Sequence, residues 1–502
     1  MKNFIKKIID NDIKNGLSIN KLKFRFSPEP NGFLHIGHIK SLYINFKLSK
    51  IYNSKINLRF DDTNPNNINK YYVNNIIKDI KWLGFKYNKI CYTSNYFNIL
   101  YKWAIKLIKL KKAYIQKFKN NKIYNIYNIK KNIYIFKNMK IGKYNENTYV
   151  LRAKINMKSK NFYLNDPIMY RIIKKPHFRT NNKWYIYPTY DWAHGQSDYI
   201  EKITHSLCSI EFQNHKLLYN WFIKNIYNKK FNKIIPKQIE FSRLNIIDSI
   251  TSKRKLKILK KKKIIKNYYD PRLCTISSFK KKGYKPNFLI NFIKKIGYSK
   301  RENNISINKL DIEIKKKLIN KSNKLMVIIN PIKITIINYP KNKIKWIKLN
   351  NNKKIPFTKK IYIEKKDFKK NKSKNFFRLN KINYVRLKYS FIIKLYKIKK
   401  KKIYCKIYNK NKINKYKIKS TIQWISNKYF KYINILFYKY IYFKKNKIIN
   451  LNTIKKKKAL SDITINNIKN NKIYQFHRIG FFYLYKKNFF KKILLFKKKK
   501  KK

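Results

Sequence analysis

The sequence predicts a multidomain protein in which an α/β domain near the amino terminus precedes an all-β carboxyl-terminal region. The chain of 502 residues is too long for one hydrophobic core. Strand and helix patterns alternate between residues 22 and 83, and short alternating segments rich in Ile and Tyr fill the chain after residue 324. The first pattern is typical of a parallel sheet with crossover helices, and the second favours antiparallel barrels or sandwiches.

The charge balance is strongly basic. The chain has 125 Lys plus Arg residues against 21 Asp plus Glu residues, a formal net charge of +104. Such a surface favours polyanions, and nucleic acid phosphates are the obvious partner. Strong nucleotide bias would produce the same composition, so the charge alone leaves both explanations open. Only Glu364, Asp367 and Asp462 follow Glu313 among the acidic residues, so the last third has little to repel a phosphate backbone.

The four cysteines and the chain termini predict a cytoplasmic protein. Cys91, Cys208, Cys274 and Cys405 have no paired spacing for zinc or a redox pair, so we expect reduced thiols and no protein-bound metal. The start runs into charge without the apolar core of a signal peptide. No window approaches the roughly 18 apolar residues of a membrane span, so we expect no membrane partner.

Two strand–loop–helix units open the predicted α/β domain. Residues 22–27 alternate apolar and basic side chains, and turn residues 28–32 end this strand before a helix that begins near Gly37. A second strand at 56–60 ends in turn residues 61–65 before another amphipathic helix. Ligands bind at the carboxyl ends of parallel strands, and both loops fall there.

The middle of the chain is less strongly patterned. Residues 99–150 predict only an inserted, partly helical region, and strand patterning returns at Leu151. We see no internal repeat.

A pair of histidines lies in the first loop. His35 and His38 flank Gly37 at the predicted start of a helix. Backbone N–H groups and the positive end of the helix dipole make phosphate the natural ligand there, and a glycine lets a base or ribose approach closely. On these residues alone, two ordinary histidines beside a turn are an equally good explanation.

A basic string at residues 252–255 is the second candidate. On a loop, Ser252, Lys253 and Arg254 would clamp a pyrophosphate where charge develops during phosphoryl chemistry. In a chain this rich in lysine, the string alone predicts nothing.

Five blocks in a fixed order resemble one family. They are residues 24–38, which look like the first signature of the family, 57–65, 187–191, 204–213, and 250–254, which stand where its second signature belongs. With them the chain resembles the class I aminoacyl-tRNA synthetases, and among these the glutaminyl enzymes, strongly over residues 22–330 and weakly to about 485. The resemblance implies a Rossmann-type catalytic domain with an acceptor-stem insertion, a helical connector and two anticodon-binding β-barrels.

The resemblance and the patterning together predict the domain boundaries. We expect the Rossmann-type domain at 22–98 plus 189–240, the acceptor-stem insertion at 99–188, the helical connector with the second signature loop at 241–323, two β-barrels at 324–490 and a basic tail at 491–502.

The resemblance implies an ATP-dependent ligase that joins glutamine to tRNA(Gln). The α-carboxylate of glutamine attacks the α-phosphate of ATP, which enters with Mg²⁺ as its substrate complex, and the 2′ hydroxyl of the terminal adenosine then takes the glutaminyl group. No protein nucleophile is needed, so catalysis is mainly positioning and charge stabilisation. We expect a monomer.

The same resemblance assigns roles to individual residues. His35 and His38 are expected on the ATP phosphates and Lys253 on the departing pyrophosphate. The other expected ATP contacts are Glu29, Pro30, Asn31, Gly32, Gly37, Ser252 and Arg254. The expected glutamine contacts are Arg25, Asp61, Tyr190, Cys208 and Gln238, with Asp61 taking the ammonium group. A turn cap and a core tyrosine are the alternatives for Asp61 and Tyr190.

Several expected tRNA contacts depart from the family pattern. The contacts are Asn214 on the acceptor stem and, on the anticodon, Lys324, Arg378, Arg386, Lys388, Gln475 and Arg478. Asn214 stands where the family usually has Asp, and Lys324 and Lys388 replace arginines, which loses bidentate geometry. Thr251 stands where the second signature usually has Met. Residues 113–150 look shorter than the family's acceptor-end region, which leaves the opening of the first base pair unexplained.

A glutamyl-tRNA synthetase shares the fold and both signatures and is the nearest alternative. A site for glutamate needs a cation for the γ-carboxylate, and glutamyl enzymes typically carry Arg where Cys208 stands. A decayed synthetase that only binds RNA is a second alternative, against which the intact His35, His38, Asp61 and Lys253 argue. A nucleotidyltransferase is a third, against which the all-β tail argues.

Overall fold

The computed structural model of the chain describes residues 4–120, 122–228, 231–247, 249–250, 252–300, 303–349, 353–371, 376–400, 402–408, 418–442 and 449–496. Thr251 and the lysine run at 497–502 lie outside these residues. None of the described helices is long and apolar enough to cross a membrane.

The α/β domain begins with a parallel three-stranded sheet, which confirms the alternating pattern. Its elements are α1 (Phe4–Lys14), β1 (Lys23–Phe26), α2 (Ile36–Ile51), β2 (Lys55–Phe60), α3 (Lys70–Leu83) and β3 (Lys89–Tyr92). The strands lie in the order β1-β2-β3, and each neighbour pairs in parallel. Asn69 caps α3 by accepting the Tyr72 N–H, and Gly84 follows the helix at φ 82°, where glycine is favoured.

The inserted region contains two helices and an antiparallel sheet. Its elements are α4 (Phe97–Lys109), β4 (Ala113–Lys119), β5 (Lys122–Ile126), α5 (Ile129–Lys140), β6 (Tyr149–Ala153), β7 (Ile168–Ile172) and β8 (Ile186–Pro188). The strand order is β5-β4-β6-β7-β8. The expectation of a partly helical region therefore missed the β4–β5 hairpin. The four residues Lys122 to Asn125 of this edge strand are exposed, so no buried face imposed a pattern on its sequence.

The second half of the α/β domain adds a two-stranded parallel sheet beside β1. Its elements are α6 (Tyr190–Ile200), β9 (His205–Ser209), α7 (Lys216–Ile226) and β10 (Lys237–Phe241). β9 and β10 pair in parallel. The Thr204 N–H donates to the Lys23 carbonyl at 3.1 Å, where both β1 and β9 begin, so these strands run in the same direction. The carboxyl ends of β1, β2 and β9 therefore lie at one edge.

The connector is mainly helical, with one unexpected strand pair. Its elements are β11 (Leu244–Ile247), α8 (Lys253–Lys261), α9 (Ile276–Lys282), α10 (Pro286–Ile296), β12 (Asn303–Ser306) and α11 (Ile307–Leu318). β11 and β12 pair in parallel. The predicted second signature loop is instead the start of α8, because Leu256 and Leu259 are buried and give a lysine-rich segment one apolar face.

Helix α9 lies between the first histidine loop and the carboxyl-terminal region. At its start, the Ile276 N–H donates to the Leu34 carbonyl at 2.9 Å, and the Ile36 N–H donates to the Cys274 carbonyl at 3.2 Å. At its end, Lys282 Nζ donates to the Tyr440 hydroxyl at 3.1 Å, and Lys491 Nζ donates to the Lys281 carbonyl at 3.2 Å. One short helix thus connects the histidine loop to the last barrel.

Two seven-stranded sheets form the carboxyl-terminal region, as the short alternating segments predict. The strands are β13 (Lys324–Leu325), β14 (Val327–Ile328), β15 (Pro331–Ile336), β16 (Lys345–Lys348), β17 (Lys354–Phe357), β18 (Lys360–Glu364), β19 (Val385–Leu387), β20 (Ile392–Lys399), β21 (Lys402–Tyr408), β22 (Ser420–Ile422), β23 (Trp424–Ser426), β24 (Lys431–Tyr438), β25 (Ile454–Ser461), β26 (Ile473–Phe476), β27 (Gly480–Lys486) and β28 (Phe489–Leu495). The orders are β22-β19-β20-β21-β15-β18-β23 and β13-β26-β27-β28-β24-β25-β14, and the remaining strands, β16 and β17, pair as a separate antiparallel hairpin.

The last strand corrects the predicted tail boundary. β28 runs to Leu495, five residues into the segment predicted as a basic tail from residue 491. Phe490 is buried in the core of the carboxyl-terminal sheet, and Ile493 and Leu494 are buried against the connector helices. The intervening lysines hide this apolar pattern in the sequence.

A buried carboxyl group between α3 and α9 predicts a pH dependence of stability. Burial raises the pKa of Asp79 to about 7, against the opposing effects of the Ser277 hydroxyl and Lys280. Because this folded-state pKa lies above the ordinary value of 3.8, the stabilising contribution of the protonated form is complete below that value and is lost as the pH rises to about 7.

We therefore expect Asp79→Asn to flatten the pH dependence of unfolding. Between pH 5 and pH 7 the wild type should lose about 2–3 kcal/mol more than the variant, because each pKa unit corresponds to about 1.4 kcal/mol. Urea unfolding of both proteins across this range measures the difference. Parallel stability curves would show that Asp79 does not titrate there.

Candidate active site

The two histidines form a cap on α2. His35 Nδ1 accepts the Gly37 N–H at 3.1 Å, and His38 Nδ1 accepts the His35 N–H at 3.1 Å. The ring centroids lie 3.9 Å apart. Burial lowers the pKa of His35 to about 3 and the pKa of His38 well below its ordinary value. Both rings are therefore neutral at pH 7, and each carries its proton on Nε2, since Nδ1 is an acceptor.

Gly37 is required by the histidine itself. A Cβ at this position would lie 2.8 Å from Cε1 of His35, closer than packed atoms approach. The sequence predicts that this glycine makes room for a ligand. The structure adds a nearer reason, which is that the His35 ring occupies that space.

The second signature, at residues 250–254, contacts the loop of the first signature. Lys253, at the start of α8, donates to Asn31 Oδ1. Its side chain lies over Gly32, where a Cβ would be 3.6 Å from the Lys253 Cε. Burial raises the pKa of Glu29, while the Lys253 ammonium opposes this rise, so the two charges are neighbours. Lys253, Asn31, Gly32 and Glu29 thus form one cluster.

The remaining expected ATP contacts lie around this cluster. Pro30 is buried, and its carbonyl accepts the Asn69 N–H at 3.4 Å. Ser252 and Arg254 are exposed on either side of Lys253.

A separate pocket collects three of the expected glutamine contacts. Tyr190, Cys208 and Gln238 line it together with Phe212. The Tyr190 ring lies 4.7 Å from the ring of His194 and 5.2 Å from that of Phe212. Gln238 Nε2 donates to the Phe212 carbonyl at 2.9 Å and to Glu240 Oε1 at 3.0 Å. Both amide hydrogens are thereby used, which orients the Gln238 carbonyl oxygen as the group that meets a ligand.

Asp61 has hydrogen-bond donors at one carboxylate oxygen and none at the other within the described part of the chain. Its Oδ1 accepts from Arg59 Nε at 3.0 Å and from the Thr93 hydroxyl at 3.2 Å. Its Oδ2 is buried and has no hydrogen-bond partner among the described residues: His194 Nδ1 lies 3.4 Å away but accepts from Arg59 Nη2 at 3.2 Å. Burial acts to raise the pKa of Asp61, but Arg59 and His194 outweigh it, so the carboxylate is charged. A buried charged oxygen needs a donor, and an ammonium group is a suitable one.

A buried ion network lies beneath the pocket. Asp198 Oδ1 accepts from Arg25 Nε at 3.2 Å and from Arg59 Nη1 at 2.7 Å. Asp198 Oδ2 accepts the Tyr219 hydroxyl at 3.0 Å. Burial acts to raise the pKa of Asp198, but the two guanidinium groups hold it far below its ordinary value. These three ionised side chains are almost fully buried.

Arg25 belongs to this network and not to the pocket lining predicted for it. Its guanidinium donates to the Leu207 carbonyl at 2.8 Å and to the Ser206 hydroxyl at 2.6 Å in addition to Asp198. All these partners are buried protein groups, so Arg25 supports the pocket from below.

The residues predicted for the site did not include Arg59, His194 or Asp198. A signal for two of them was present, because Tyr190, His194 and Asp198 recur every four residues on α6 and so share one face of the helix.

The expected anticodon contacts gather around a single carboxylate and the β13–β26 pair. Arg478 binds Asp367 through both terminal nitrogens, at 2.8 and 3.0 Å, and Arg378 binds the same carboxylate at 2.9 Å. Lys324 and Gln475 are paired in register.

Lys388 joins the same group. Burial lowers its pKa, and the charges of Lys324 and Arg478 lower it further, so these cations lie near one another. Arg386 is exposed on β19, and Lys388 follows the end of this strand.

Comparison with known families agrees with this architecture. The catalytic domain of the class I tRNA synthetases (E and Q) matches residues 21–320, and two anticodon-binding domains of the same class match residues 322–409 and 421–485. The chain belongs to the class I tRNA synthetases of the glutamate and glutamine group, which confirms the resemblance predicted from the sequence.

Three similar proteins from other organisms are all named glutamine--tRNA ligase. The glutamine--tRNA ligase of Buchnera aphidicola subsp. Baizongia pistaciae is 43% identical over 462 residues, which cover 85% of this chain and 83% of that protein. The ligase of the same name from Buchnera aphidicola subsp. Schizaphis graminum is 41% identical over 531 residues, which cover 96% of this chain and 93% of that protein. The glutamine--tRNA ligase of Clostridium kluyveri is 40% identical over 417 residues, which cover 78% of this chain and 74% of that protein.

Removing the charge of Asp198 is expected to destabilise the protein strongly. Asp198→Asn keeps the side-chain shape but leaves Arg25 and Arg59 without their shared counter-ion. Breaking a buried ion pair in this way costs about 3–5 kcal/mol. Urea unfolding measures the loss, with Glu313→Gln as the control because its pairing with Lys295 is at the surface. Equal, small effects of the two substitutions would contradict a structural role for Asp198.

A methyl group at residue 37 is expected to disturb the histidine cap of α2. Gly37→Ala forces the His35 ring away from its cap, and a misplacement of about 1 Å can cost about 10²-fold in rate. Pyrophosphate exchange should therefore slow by about that factor, while the amino acid KM changes little. An unchanged exchange rate would show that the ring moves aside without consequence.

Proposed function

We propose that the chain is a glutamine--tRNA ligase that activates glutamine with ATP and transfers it to tRNA(Gln). The observation that carries the proposal is the pocket around Cys208, which combines a neutral thiol with an oriented amide carbonyl. The three relatives, each named a glutamine--tRNA ligase, support the same substrate.

The ammonium group of glutamine binds Asp61. The free Oδ2 oxygen supplies the acceptor, and Arg59 holds the carboxylate ionised at pH 7. The glutamine α-carboxylate is then placed towards the first signature, where the ATP phosphates bind.

The phosphates of Mg-ATP bind at the start of α2. His35 and His38 are neutral Nε2–H donors there, so they hydrogen-bond phosphate oxygens without adding fixed charge. Lys253 provides the positive charge that stabilises pyrophosphate as it leaves. The remaining proposed ATP contacts are Glu29, Pro30, Asn31, Gly32, Gly37, Ser252 and Arg254.

The side-chain amide of glutamine lies against Tyr190, Cys208 and Gln238. Because both amide hydrogens of Gln238 are committed, its carbonyl oxygen accepts the ligand N–H. A glutamate carboxylate has no hydrogen to donate there. Burial raises the pKa of the Cys208 thiol to about 12, so residue 208 carries no charge that would balance that carboxylate.

The tRNA contacts two separate parts of the chain, one with its acceptor stem and one with its anticodon. Asn214 is proposed on the acceptor stem, and the cation group around Asp367 on the anticodon, with Lys324, Arg378, Arg386, Lys388, Gln475 and Arg478 as contacts. Bidentate binding of Asp367 uses both terminal nitrogens of Arg478, so an RNA group that binds Arg478 competes with this carboxylate.

Replacing Lys253 is expected to slow adenylate formation. Lys253→Ala removes one charge contact to the departing pyrophosphate, which corresponds to a loss of roughly 10²–10³ in rate. Pyrophosphate exchange measures this rate, and the glutamine KM should change little. Near-normal exchange would move the role to Arg254 or Lys255.

The specificity test uses both amino acids and both tRNAs. We expect the wild type to charge tRNA(Gln) with glutamine and to discriminate against glutamate by more than about tenfold, since burying an unpaired carboxylate costs several kcal/mol and about 1.4 kcal/mol is tenfold. Cys208→Arg should raise kcat/KM for glutamate and lower it for glutamine.

Comparable wild-type use of glutamate would refute glutamine specificity and favour a relaxed glutamyl enzyme. An unchanged preference in Cys208→Arg would show that residue 208 does not discriminate. No charging of either tRNA would favour a protein that only binds RNA.

A further inference from the structure

His215 lies between the amino acid pocket and the inserted region. It is the last residue of the 3₁₀ helix Ile210–His215. On one side, its Nδ1 donates to Asp191 Oδ1 at 2.6 Å. On the other side, its ring centroid lies 3.7 Å from that of Tyr163, with 37° between the ring planes.

These two contacts of His215 belong to different parts of the molecule, and a looser ring contact, to Phe212 at 5.4 Å between centroids, lies within its own 3₁₀ helix. Asp191 is in the first turn of α6, next to Tyr190, and lines the pocket together with His215. Tyr163 is in the 3₁₀ helix Phe162–Leu164 of the insertion and is absent from the pocket lining. A side chain outside the pocket therefore packs directly on one that forms its wall.

The same loop of the insertion holds the neighbouring residue by an independent contact. Asn161 Nδ2 donates to the Asn214 carbonyl at 2.9 Å, and Asn161 Oδ1 accepts the Tyr163 N–H at 3.1 Å. Asn214 is exposed and is the proposed acceptor-stem contact. The insertion thus fixes residue 214 through a hydrogen bond and residue 215 through a ring.

The Asp191 carboxylate requires a hydrogen-bond donor to keep a single orientation. The Asp191 and His215 side chains are both partly exposed, at 27% and 17%, so water competes for the carboxylate. The short hydrogen bond from His215 selects one carboxylate orientation, and the Tyr163 ring selects the His215 rotamer that makes this bond. Without the ring, both side chains gain alternative rotamers.

We propose that Tyr163 is a positioning residue for the amino acid pocket and acts through His215 on Asp191. The inference rests on the proposed function and deepens it, because it assigns part of the glutamine affinity to the acceptor-stem insertion. Tyr163 does not touch the substrate. It fixes the pocket wall beside Tyr190 from the far side of His215.

The test is the effect of Tyr163→Ala on aminoacylation kinetics. The glutamine KM should rise about three- to tenfold, the scale of losing one aromatic contact, while kcat and the ATP KM stay within about twofold. Tyr163→Phe retains the ring and should behave as wild type. His215→Ala should raise the glutamine KM at least as much, and the double variant no further than His215→Ala alone.

Asn161→Ala is the matched control from the same loop. Its side chain contacts the Asn214 carbonyl and the Tyr163 N–H but not the His215 ring, so the glutamine KM should rise less than in Tyr163→Ala. His215→Asn keeps a donor for Asp191 but offers no ring, so it should reproduce the Tyr163→Ala effect with the insertion intact. This variant decides the question if Tyr163→Ala does not fold.

Two results would overturn the inference. One is an unchanged glutamine KM in Tyr163→Ala or, where that variant does not fold, in His215→Asn. The other is an equal rise in Asn161→Ala, which would indicate general loosening of the loop. Failure of the proposed function is separate, since it shows in the wild type, and the KM ratio can then be measured with whichever amino acid the wild type charges.

Discussion

The carboxylate of Asp198 neutralises two guanidinium groups in the interior, and the geometry of the amino acid pocket depends on it. Arg59 reaches from Asp198 to Asp61 and so determines which Asp61 oxygen is free. Arg25 reaches from Asp198 to the β9 segment that carries Cys208. A buried charge is tolerated only when it is paired, so the three side chains hold one another in place. The pocket is therefore positioned by charge pairing as much as by apolar packing.

The histidine loop at the start of α2 is held by contacts of a different kind, which involve the backbone. The two imidazoles cap α2 through their Nδ1 atoms, and α9 binds the Leu34 and Ile36 backbone on the other side. Because α9 also contacts the last barrel through Lys281 and Lys282, the histidine loop and the anticodon-binding region share one rigid support. Both ends of the site thus depend on contacts between segments far apart in the chain.

The sequence predicted the parts of the fold that have one buried face, and it missed the others. The alternating pattern of residues 22–83 gave the parallel sheet correctly, whereas the exposed edge strand β5 and the lysine-interrupted β28 had no readable pattern. Local motifs brought together His35, His38 and Lys253, which the structure places near one another. The Asp198 network was missed, and Arg25 was assigned to the lining, because their pairing spans 173 residues, a distance that no local spacing reveals.

We propose that Asp61 Oδ2 receives the substrate ammonium group because Arg59 and Thr93 bind the other oxygen, with Asp198 holding Arg59 in place. A crystal structure with a non-hydrolysable glutaminyl-adenylate analogue tests it most directly. We predict the ammonium nitrogen within about 3.2 Å of Asp61 Oδ2, with the Arg59 and Asp198 contacts unchanged. An ammonium group bound elsewhere, or an Asp61 side chain rotated away from Arg59, would contradict this claim.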